Sequence, residues 1–189
     1  MKYKLGDVVT NFDRQRIPLS SAERQKRKGK FRYYGAQGVI DYIDNYIFDG
    51  EYMLVAEDGE NVKSRKSNIA QMVNGQFWVN NHAHILQSNG LSDLRLLCYV
   101  LNNMDISGYV TGSAQPKLSQ ANLNAIELDL PPLATQHTIA DTLSAFDDRI
   151  AENKKINHHL VARSATDNSP DIRRGKRVSR SAARRAFSS

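Results

Sequence analysis

The chain has 189 residues, 40% of them hydrophobic, and a formal net charge of +6. This length suits one domain of ordinary size with extensions, and the hydrophobic content is sufficient for a packed core. The single cysteine, Cys98, excludes a disulfide framework and favours a reducing compartment; its apolar neighbours predict a buried structural thiol. No apolar run approaches the roughly 18 residues of a membrane span, and the N-terminal residues lack a signal-peptide core. We therefore expect a cytoplasmic protein.

The positive charge is concentrated in two segments. Residues 161–189 contain eight Lys or Arg against two Asp, which accounts for the whole net charge. Residues 14–32 contain eight Lys or Arg against one Glu, so the remainder is neutral to acidic. Such segregation favours a polyanionic partner such as nucleic acid, because clustered cations displace counterions from phosphates. The alternatives are a solvated loop for the first segment and disorder for the second.

The first third of the chain predicts short strands and loops. Residues 5–9 predict an opening strand, and residues 11–30, which lack apolar periodicity, predict a surface loop. Residues 31–40 predict a strand–turn–strand with one of their two tyrosines in the core. Alternatively, the glycines of that segment, together with Arg32 and Gln37, suit close approach to a ligand and the reading of base edges.

Three glycine-containing dipeptides predict turns in the middle of the chain. Asp49-Gly50 and Asn74-Gly75 each lie between apolar segments, which predicts two hairpins. Asp58-Gly59 predicts a third turn, followed by a small basic loop over residues 62–66.

Two histidines, His82 and His84, fall on one face of the strand expected next. This spacing raises the possibility of a metal site or a nuclease site. A site would need a third ligand, and no Cys, His or acidic residue nearby has suitable spacing. Polar packing within the sheet is therefore favoured.

A covering helix and a polar loop follow. Apolar residues recur at helical spacing up to about residue 103: Leu91, Leu94, Leu97, Cys98 and Leu101. Residues 111–118 form a loop of hydroxyls, an amide and glycine, which suits either phosphate contacts or a simple turn. Ser119 or Asn122 is expected to cap a short helix, and residues 125–130 predict a strand.

A proline pair, Pro131-Pro132, separates this strand from a long helix, because proline excludes helix before it and presets helical backbone after it. The helix, residues 133–160, would be about 40 Å long. Its seam has heptad spacing, with asparagines that weaken packing but fix register; the seam positions are Ile139, Leu143, Phe146, Ile150, Asn153, Asn157 and Leu160. A seam of this length needs a second helix, from another chain or a missing half of this one. The alternative is that the body covers it.

Several segments, taken together in this order, resemble the specificity (S) subunit of type I restriction–modification enzymes. The matching segments are LGDVV (5–9), YYGAQG (33–38), FDGEY (48–52), EDG (57–59), FWVNNHAH (77–84), GSAQPKL (112–118) and LPPLATQ (130–136) with Ile139-Ala140. The resemblance covers about residues 3–160, one target recognition domain and its helix. It stops at Val161, which indicates a truncation, a frameshifted end or a partial S cassette.

Pattern and resemblance together predict an α+β fold with three parts. Residues 1–130 form a mixed, β-rich DNA target recognition domain with covering helices. Residues 131–160 form one long coiled-coil-type helix that serves as spacer and dimerisation element, and residues 161–189 form a basic, disordered tail.

The resemblance also implies a division of labour. An S subunit reads double-stranded DNA through two such domains, one for each half of a split site, held apart by two long antiparallel helices. A helix of this length matches one turn of duplex, about 34 Å, and so acts as a ruler. The helices dock methyltransferase (M) subunits, which bind S-adenosylmethionine, and the complex recruits a motor nuclease, the restriction (R) subunit. The S subunit itself has no cofactor and no catalytic role.

Half of this inventory is present, so pairing with a second copy or another S half through the helix is expected. A different reading is an interaction protein that competes for M subunits without productive DNA binding. A stand-alone nuclease is disfavoured, since the sequence has no acidic cluster or recognised catalytic motif.

Candidate DNA contacts fall into two sets, because phosphate contacts position a protein and base contacts specify the sequence. The candidate phosphate contacts are Arg14, Arg16, Arg24, Lys26, Arg27, Lys28, Lys30, Lys63, Arg65, Lys66 and Lys117. The candidate base readers, chosen by side-chain chemistry, are Arg32, Tyr34, Gln37 and Gln115.

Overall fold

The computed structural model describes residues 1–64 and 66–167. It contains two compact units, Met1–Asp141 and a second one that begins at Thr142. The strands are β1 (Lys2–Lys4), β2 (Val9–Asn11), β3 (Lys28–Gly35), β4 (Gly38–Ile43), β5 (Phe48–Ala56), β6 (Ala70–Val79), β7 (Ala83–Ser88) and β8 (Glu127–Asp129). The helices are α1 (Leu5–Val8), α2 (Ser21–Lys26), α3 (Glu60–Ser64), α4 (Leu94–Asn103), α5 (Gln120–Asn124) and α6 (Leu133–Asp167).

Six strands form the main sheet of the first unit, in the order β2-β7-β5-β6-β3-β4. Strands β3 and β6 are parallel, and the other neighbouring pairs are antiparallel. Strands β1 and β8 pair separately, so the two ends of this unit lie side by side. The predicted α+β class is confirmed.

Helices cover one face of the sheet and form the larger core with it. Leu97 and Leu101 of α4 and Met53 of β5 are fully buried there. Asp93 caps α4 by accepting hydrogen bonds from the first backbone amides of the helix. The helix predicted from periodicity is confirmed, although it begins at Leu94 and leaves Leu91 exposed. Cys98 is only partly buried against this core, less than the sequence predicted.

A second core of aromatic rings fills the other side of the sheet. Phe48, Tyr52 and Phe77 lie with ring centroids 5.5–5.6 Å apart, and Tyr34 meets Phe77 edge to face at 5.7 Å. Tyr33, fully buried, packs in a small third cluster. The strand–turn–strand predicted for residues 31–40 is thus confirmed, and both of its tyrosines are in the core.

The two predicted hairpins are wrong, because β5 continues through Asp49-Gly50 and β6 continues through Asn74-Gly75 without a chain reversal. Gly50 and Gly75 have positive φ angles and lie opposite each other in the antiparallel register. A flat β6 would span about 30 Å, yet the three residues that link Val79 to Ala83 give four Cα–Cα steps, which reach at most about 14 Å. Since Ala83 pairs with the far end of β5, the β5–β6 ribbon must coil. The paired glycines permit that coiling where other residues would be strained.

Three further predictions are corrected by the structure. Residues 5–9, predicted as a strand, form helix α1 and the start of β2. The Asp7 side chain stabilises the N-terminus of this helix by accepting a hydrogen bond from the Lys4 amide. Residues 11–30 contain a 3₁₀ turn and helix α2 with a Ser20–Glu23 capping box. The basic segment after Asp58-Gly59 begins as helix α3.

The C-terminal half of the sequence behaves largely as predicted. Ser119 caps α5 by accepting from the Asn122 amide. Strand β8 ends before the proline pair, and α6 begins directly after it. Helix α6 continues to Asp167, beyond the end expected near Leu160. The three-part domain division stays a prediction, and the rest of the predicted tail lies outside the described residues.

Candidate nucleic-acid interface

Four separate segments meet at one end of the sheet, which we call the loop end: residues 36–38, 57–63, 80–82 and 111–117. The Asn61 side chain donates to the Ala36 carbonyl at 3.0 Å. The Glu57 amide donates to the His82 carbonyl at 2.9 Å, and the Glu57 carbonyl accepts from the Leu118 amide at 2.8 Å. These hydrogen bonds join loops that are distant in sequence into one surface.

The reading candidates Gln37 and Gln115 are both exposed at the loop end. Gln37 lies in the β3–β4 turn, beside Gly59 of the neighbouring loop. Gln115 lies in a turn that is closed by two backbone hydrogen bonds between Thr111 and Lys117. Gly112 is required in that turn, because its φ is +90° and a Cβ atom would lie 2.6 Å from the Gln115 carbonyl oxygen. The turn therefore presents Gln115 from a constrained backbone.

A carboxylate at the loop end holds two of the predicted phosphate contacts. Glu57 binds Arg16 at 2.8 Å through one oxygen and Lys117 at 2.9 Å through the other. Burial would raise the pKa of Glu57, but the hydrogen bonds from the two cations outweigh it and keep this pKa below its ordinary value. Arg16 also donates to the Ala83 carbonyl, and its side chain is 15% exposed. Arg16 is thus a structural residue.

The two histidines differ in environment. His84 is buried between Asp13 and the Leu118 carbonyl, whereas His82 is exposed and contacts Asp58 at 2.8 Å. Across the residues that the structure describes, no group of three Cys, His, Asp or Glu is arranged to hold a metal ion. The polar packing expected for this pair is confirmed for His84.

The second group of cations, which we call the basic patch, lies on α2 and β3: Arg24, Lys26, Arg27, Lys28, Lys30 and Arg32. Three of its members are paired with carboxylates: Arg24 and Lys28 share Asp41, and Arg27 binds Asp44. The Lys28 hydrogen bond is the main cause that lowers the pKa of Asp41. The two carboxylates therefore reduce the charge of this patch from six to four.

Aromatic rings hold several side chains of the basic patch in place. The Arg24 guanidinium lies 5.2 Å from the Tyr33 ring centroid, and that of Arg27 lies 4.9 Å from the Trp78 centroid. Arg32 stacks over Tyr34 and donates to the Asn74 carbonyl. These contacts limit what the three arginines can offer to a ligand.

Tyr34 is a correction among the predicted base readers. It is 4% exposed, and its ring packs against Phe77 in the aromatic core. Its burial also raises the pKa of its hydroxyl. A ring in this position has no free face on which a base could stack, so we exclude Tyr34 from the interface.

Five predicted phosphate contacts have exposed side chains and form no ion pair within the described part of the chain: Arg14, Lys26, Lys30, Lys63 and Lys66. Lys30 lies over the Phe31 ring at 5.2 Å. Lys63 lies on α3 at the loop end, and Lys66 lies on the loop that follows this helix. Arg65 lies outside the described residues.

The acidic partners Asp13, Asp41, Asp44 and Glu57 were missed by sequence reasoning. Asp41 and Asp44 lie on the strand and loop after the β3–β4 turn, and antiparallel pairing with β3 brings them beside the cations. A prediction of that hairpin with its register would have revealed this pairing. Nothing in the local sequence links Glu57 to Arg16 or Lys117.

The first residues of α6, which belong to the first unit, form polar contacts within that unit. The Gln136 side chain, 1% exposed, accepts from the Asp93 amide at 3.1 Å and donates to the Pro131 carbonyl. His137 and Arg95 both contact the Asp93 carboxylate, and Arg95 also reaches Asp141 at 2.7 Å. These interactions outweigh the burial that would raise the pKa of Asp93, and they lower it instead.

The predicted helix seam is accessible along the rest of α6. Phe146, Ile150 and Leu160 are each more than half exposed, and Ile139 is 37% exposed. Leu143 is partly buried, and the seam asparagines Asn153 and Asn157 are exposed. No helix in the described residues is long and apolar enough to cross a membrane.

Solved structures share this fold. The chain aligns over 80% of its length with the type I restriction–modification S subunit from M. genitalium, with a TM-score of 0.60 and 16% identity, and covers 40% of that chain. A second structure, from a study of complex assembly in the type I system, also has a TM-score of 0.60, with 14% identity. At these identities the likeness shows a shared fold.

Sequence comparison assigns the family. Residues 1–161 match the family model of the type I restriction modification DNA specificity domain, and the chain belongs to that family. A putative type I specificity subunit from Haemophilus influenzae is 34% identical over 141 residues, and the specificity subunit of EcoprrI from Escherichia coli is 27% identical over 144 residues. The chain spans 36% and 35%, respectively, of those two relatives.

Proposed function

We propose that this chain is the DNA-recognition component of a type I restriction–modification complex and reads one half of a bipartite site. The observation that carries this proposal is the loop end, where four segments bring the exposed amides of Gln37 and Gln115 and the exposed Lys63 onto one hydrogen-bonded surface. Gln37 and Gln115 supply the amide groups that read base edges, and Lys63 and Lys66 supply charge for adjacent phosphates. Arg14, Lys26 and Lys30 would contact phosphates further along the duplex. The chain itself contributes recognition and no catalysis.

The test is a selection from randomised DNA duplexes with the full chain, followed by binding of the selected sequence in competition with a scrambled one. Wild type should prefer the selected duplex. Gln37→Ala and Gln115→Ala should each reduce that preference by about 1–3 kcal/mol, the usual value of a bidentate base contact. Gln25→Ala, an exposed glutamine on α2, is the matched control. An equal loss for all three variants would refute the assignment of the loop end.

We further propose that α6 is the spacer and docking helix of the complex. At about 1.5 Å per residue, its 35 residues extend about 52 Å, longer than one turn of duplex. Its exposed apolar seam suits a methyltransferase subunit together with a second helix, from another copy or another S half. S-adenosylmethionine would bind to the methyltransferase, and the restriction subunit would join through the assembled complex. We place this assembly in the cytoplasm.

The seam is tested by co-purification with the methyltransferase subunit from the same host. Phe146→Asp and Ile150→Asp should abolish capture, because a charge in an apolar helix interface is left without a partner. Asp148→Ala lies off the seam and should leave capture unchanged. Sedimentation of the chain alone distinguishes self-pairing from pairing with another subunit. The competing interpretation, a modulator that sequesters methyltransferase without DNA reading, predicts capture without any duplex preference, and the family relationship does not favour it.

A further inference from the structure

The buried histidine His84 has a hydrogen-bond acceptor at each ring nitrogen. Its Nδ1 lies 2.6 Å from a carboxylate oxygen of Asp13, and its Nε2 lies 2.8 Å from the carbonyl oxygen of Leu118. The ring is 1% exposed. A carbonyl oxygen can only accept, so Nε2 must carry a hydrogen. A neutral imidazole has only one N–H, which leaves the proton between Nδ1 and Asp13 to be assigned.

The surroundings of Asp13 assign that proton to the histidine. One Asp13 oxygen accepts from the Ile85 amide at 2.9 Å, and the other lies 3.5 Å from the Arg16 guanidinium. The Ile85 amide and the Arg16 guanidinium both favour the charged form of Asp13, whatever the state of His84. Asp13 is therefore a carboxylate, and both hydrogens belong to the ring.

We propose that His84 is held as an imidazolium whose Nε2–H fixes the backbone of Leu118, and thereby positions the turn of residues 112–116 that presents Gln115 to DNA. The reading role rests on the proposed function. His84 and Asp13 are positioning residues, since neither reaches the surface of the loop end.

Leu118 is the point from which the turn is held. Its amide donates to the Glu57 carbonyl, its carbonyl accepts from His84, and its side chain is fully buried. The preceding residue, Lys117, pairs with Thr111 to close the turn. Loss of the His84 side chain would leave a buried carbonyl without its donor and release one side of this attachment.

The charges around His84 come from every neighbouring segment. Asp13 and Arg16 lie before α2, Glu57 follows β5, and Lys117 ends the turn. Asp58, which contacts His82, lies next to Glu57 and pairs with Lys117 through a backbone bridge. Three carboxylates, Asp13, Glu57 and Asp58, thus face three cations, Arg16, Lys117 and the His84 ring, which makes a buried imidazolium tolerable.

The protonation state is tested by ¹⁵N NMR of the histidine side chains in the full chain at neutral pH. Both His84 nitrogens should show the shifts and attached protons of an imidazolium. In Asp13→Asn, the new amide can donate to Nδ1, so His84 should become a neutral ring with its hydrogen on Nε2. A neutral His84 ring in wild type overturns the proposal.

The positioning role is tested by hydrogen exchange at the Thr111 and Lys117 amides, which close the turn. An asparagine in place of His84 can still donate to Asp13 but does not reach Leu118. His84→Asn should therefore speed exchange at both amides at least tenfold, while His82→Asn, the exposed neighbour, should not. Unchanged exchange in His84→Asn overturns the positioning role, and retained exchange protection in Asp13→Asn would show that the fold itself tolerates changes in this network.

Duplex competition then separates this inference from the proposed function. His84→Asn should lower the preference for the selected duplex at least tenfold while leaving the salt dependence of binding unchanged, because no phosphate contact is removed. Equal weakening on all duplexes would overturn the reading role. If wild type prefers no duplex, the proposed function and the reading role both fail, whereas the imidazolium and the order of the turn are still decided by the NMR and exchange measurements.

Discussion

The basic patch and the loop end carry cations in different ways. The patch on α2 and β3 has the denser sequence of Lys and Arg, yet Asp41 and Asp44 pair with three of its six members. Aromatic rings contact two others, Lys30 and Arg32. The loop end has fewer cations, but Lys63 is exposed there, and Lys66 is exposed on the loop that follows α3. A run of like charges in sequence is thus a poor guide to the charge a surface presents, because folding brings opposite charges beside it.

The comparison also distinguishes charged side chains that stabilise the fold from those available to bind phosphates. Glu57 fixes Arg16 and Lys117 inside the loop end, so these two cations shape the surface without adding much free charge to it. Exposed lysines have no such role and remain available for phosphates. The experiments below challenge this division, from the largest expected effect to the smallest.

Glu57→Gln should cause the largest loss of stability, because Arg16 and Lys117 would lose the carboxylate that they share. We expect a decrease of about 2 kcal/mol in the free energy of unfolding, measured by urea denaturation. Asp44→Asn, which breaks the more exposed ion pair with Arg27, should change it by less than about 1 kcal/mol. Equal losses would show that the two regions do not differ in this respect.

Replacement of both Lys63 and Lys66 by alanine should affect DNA binding without affecting stability. Each phosphate contact contributes about 0.9 to the slope of log K against log salt, so the slope should flatten by about 1.8. Binding to selected and scrambled duplexes should weaken alike. Lys2 and Lys4, exposed on β1, serve as a matched control pair. An unchanged slope in the variant that lacks Lys63 and Lys66 would show that these two lysines do not contact DNA.

Lys26→Ala and Lys28→Ala sharpen the comparison within the basic patch. Both were expected from sequence to contact phosphates, but Lys28 binds Asp41 at 2.6 Å. Lys26→Ala should flatten the salt slope by about 0.9, and Lys28→Ala by less. The double variant should resemble the Lys26 variant. A larger effect of Lys28 would mean that its ion pair opens when DNA binds.

Acid pH should lower the free energy of unfolding through the loss of the Asp41 ion pairs, and we expect this effect to be the smallest of the series. Because the Lys28 hydrogen bond lowers the pKa of Asp41, that carboxylate stabilises the fold above its unfolded pKa, and the contribution disappears as pH falls through its folded pKa. Asp41→Asn should therefore show a shallower loss of stability between about pH 5 and pH 3 than wild type. Parallel pH profiles would contradict this assignment.

The two glutamines proposed to read bases could be identified from the sequence because their segments have distinct compositions. Gln37 and Gln115 were selected by side-chain chemistry, and both lie at the loop end. Tyr34 was selected by the same reasoning, but its strand turns it into the aromatic core. Side-chain chemistry identifies what a residue can do, whereas burial decides whether a ligand can reach it.

The sequence by itself determined the features that depend on neighbouring residues. Helical periodicity indicated α4, Ser119 supplied a cap for α5, and Pro131-Pro132 marked the change from strand to the long helix with its apolar seam. Each of these follows from local backbone preferences and spacing, which act over a few residues.

Tertiary structure alone decided the rest. Gly50 and Gly75 do not form turns: they face each other within the continuous β5–β6 pair, which coils at this point. The two dipeptides, read separately, could not reveal that register. Likewise, Glu57 meets Arg16, and His84 meets Asp13 and Leu118, only because the sheet brings together segments far apart in sequence. Charge pairing and proton placement depend on distances of a few ångströms between such segments, and those distances exist only in the folded chain.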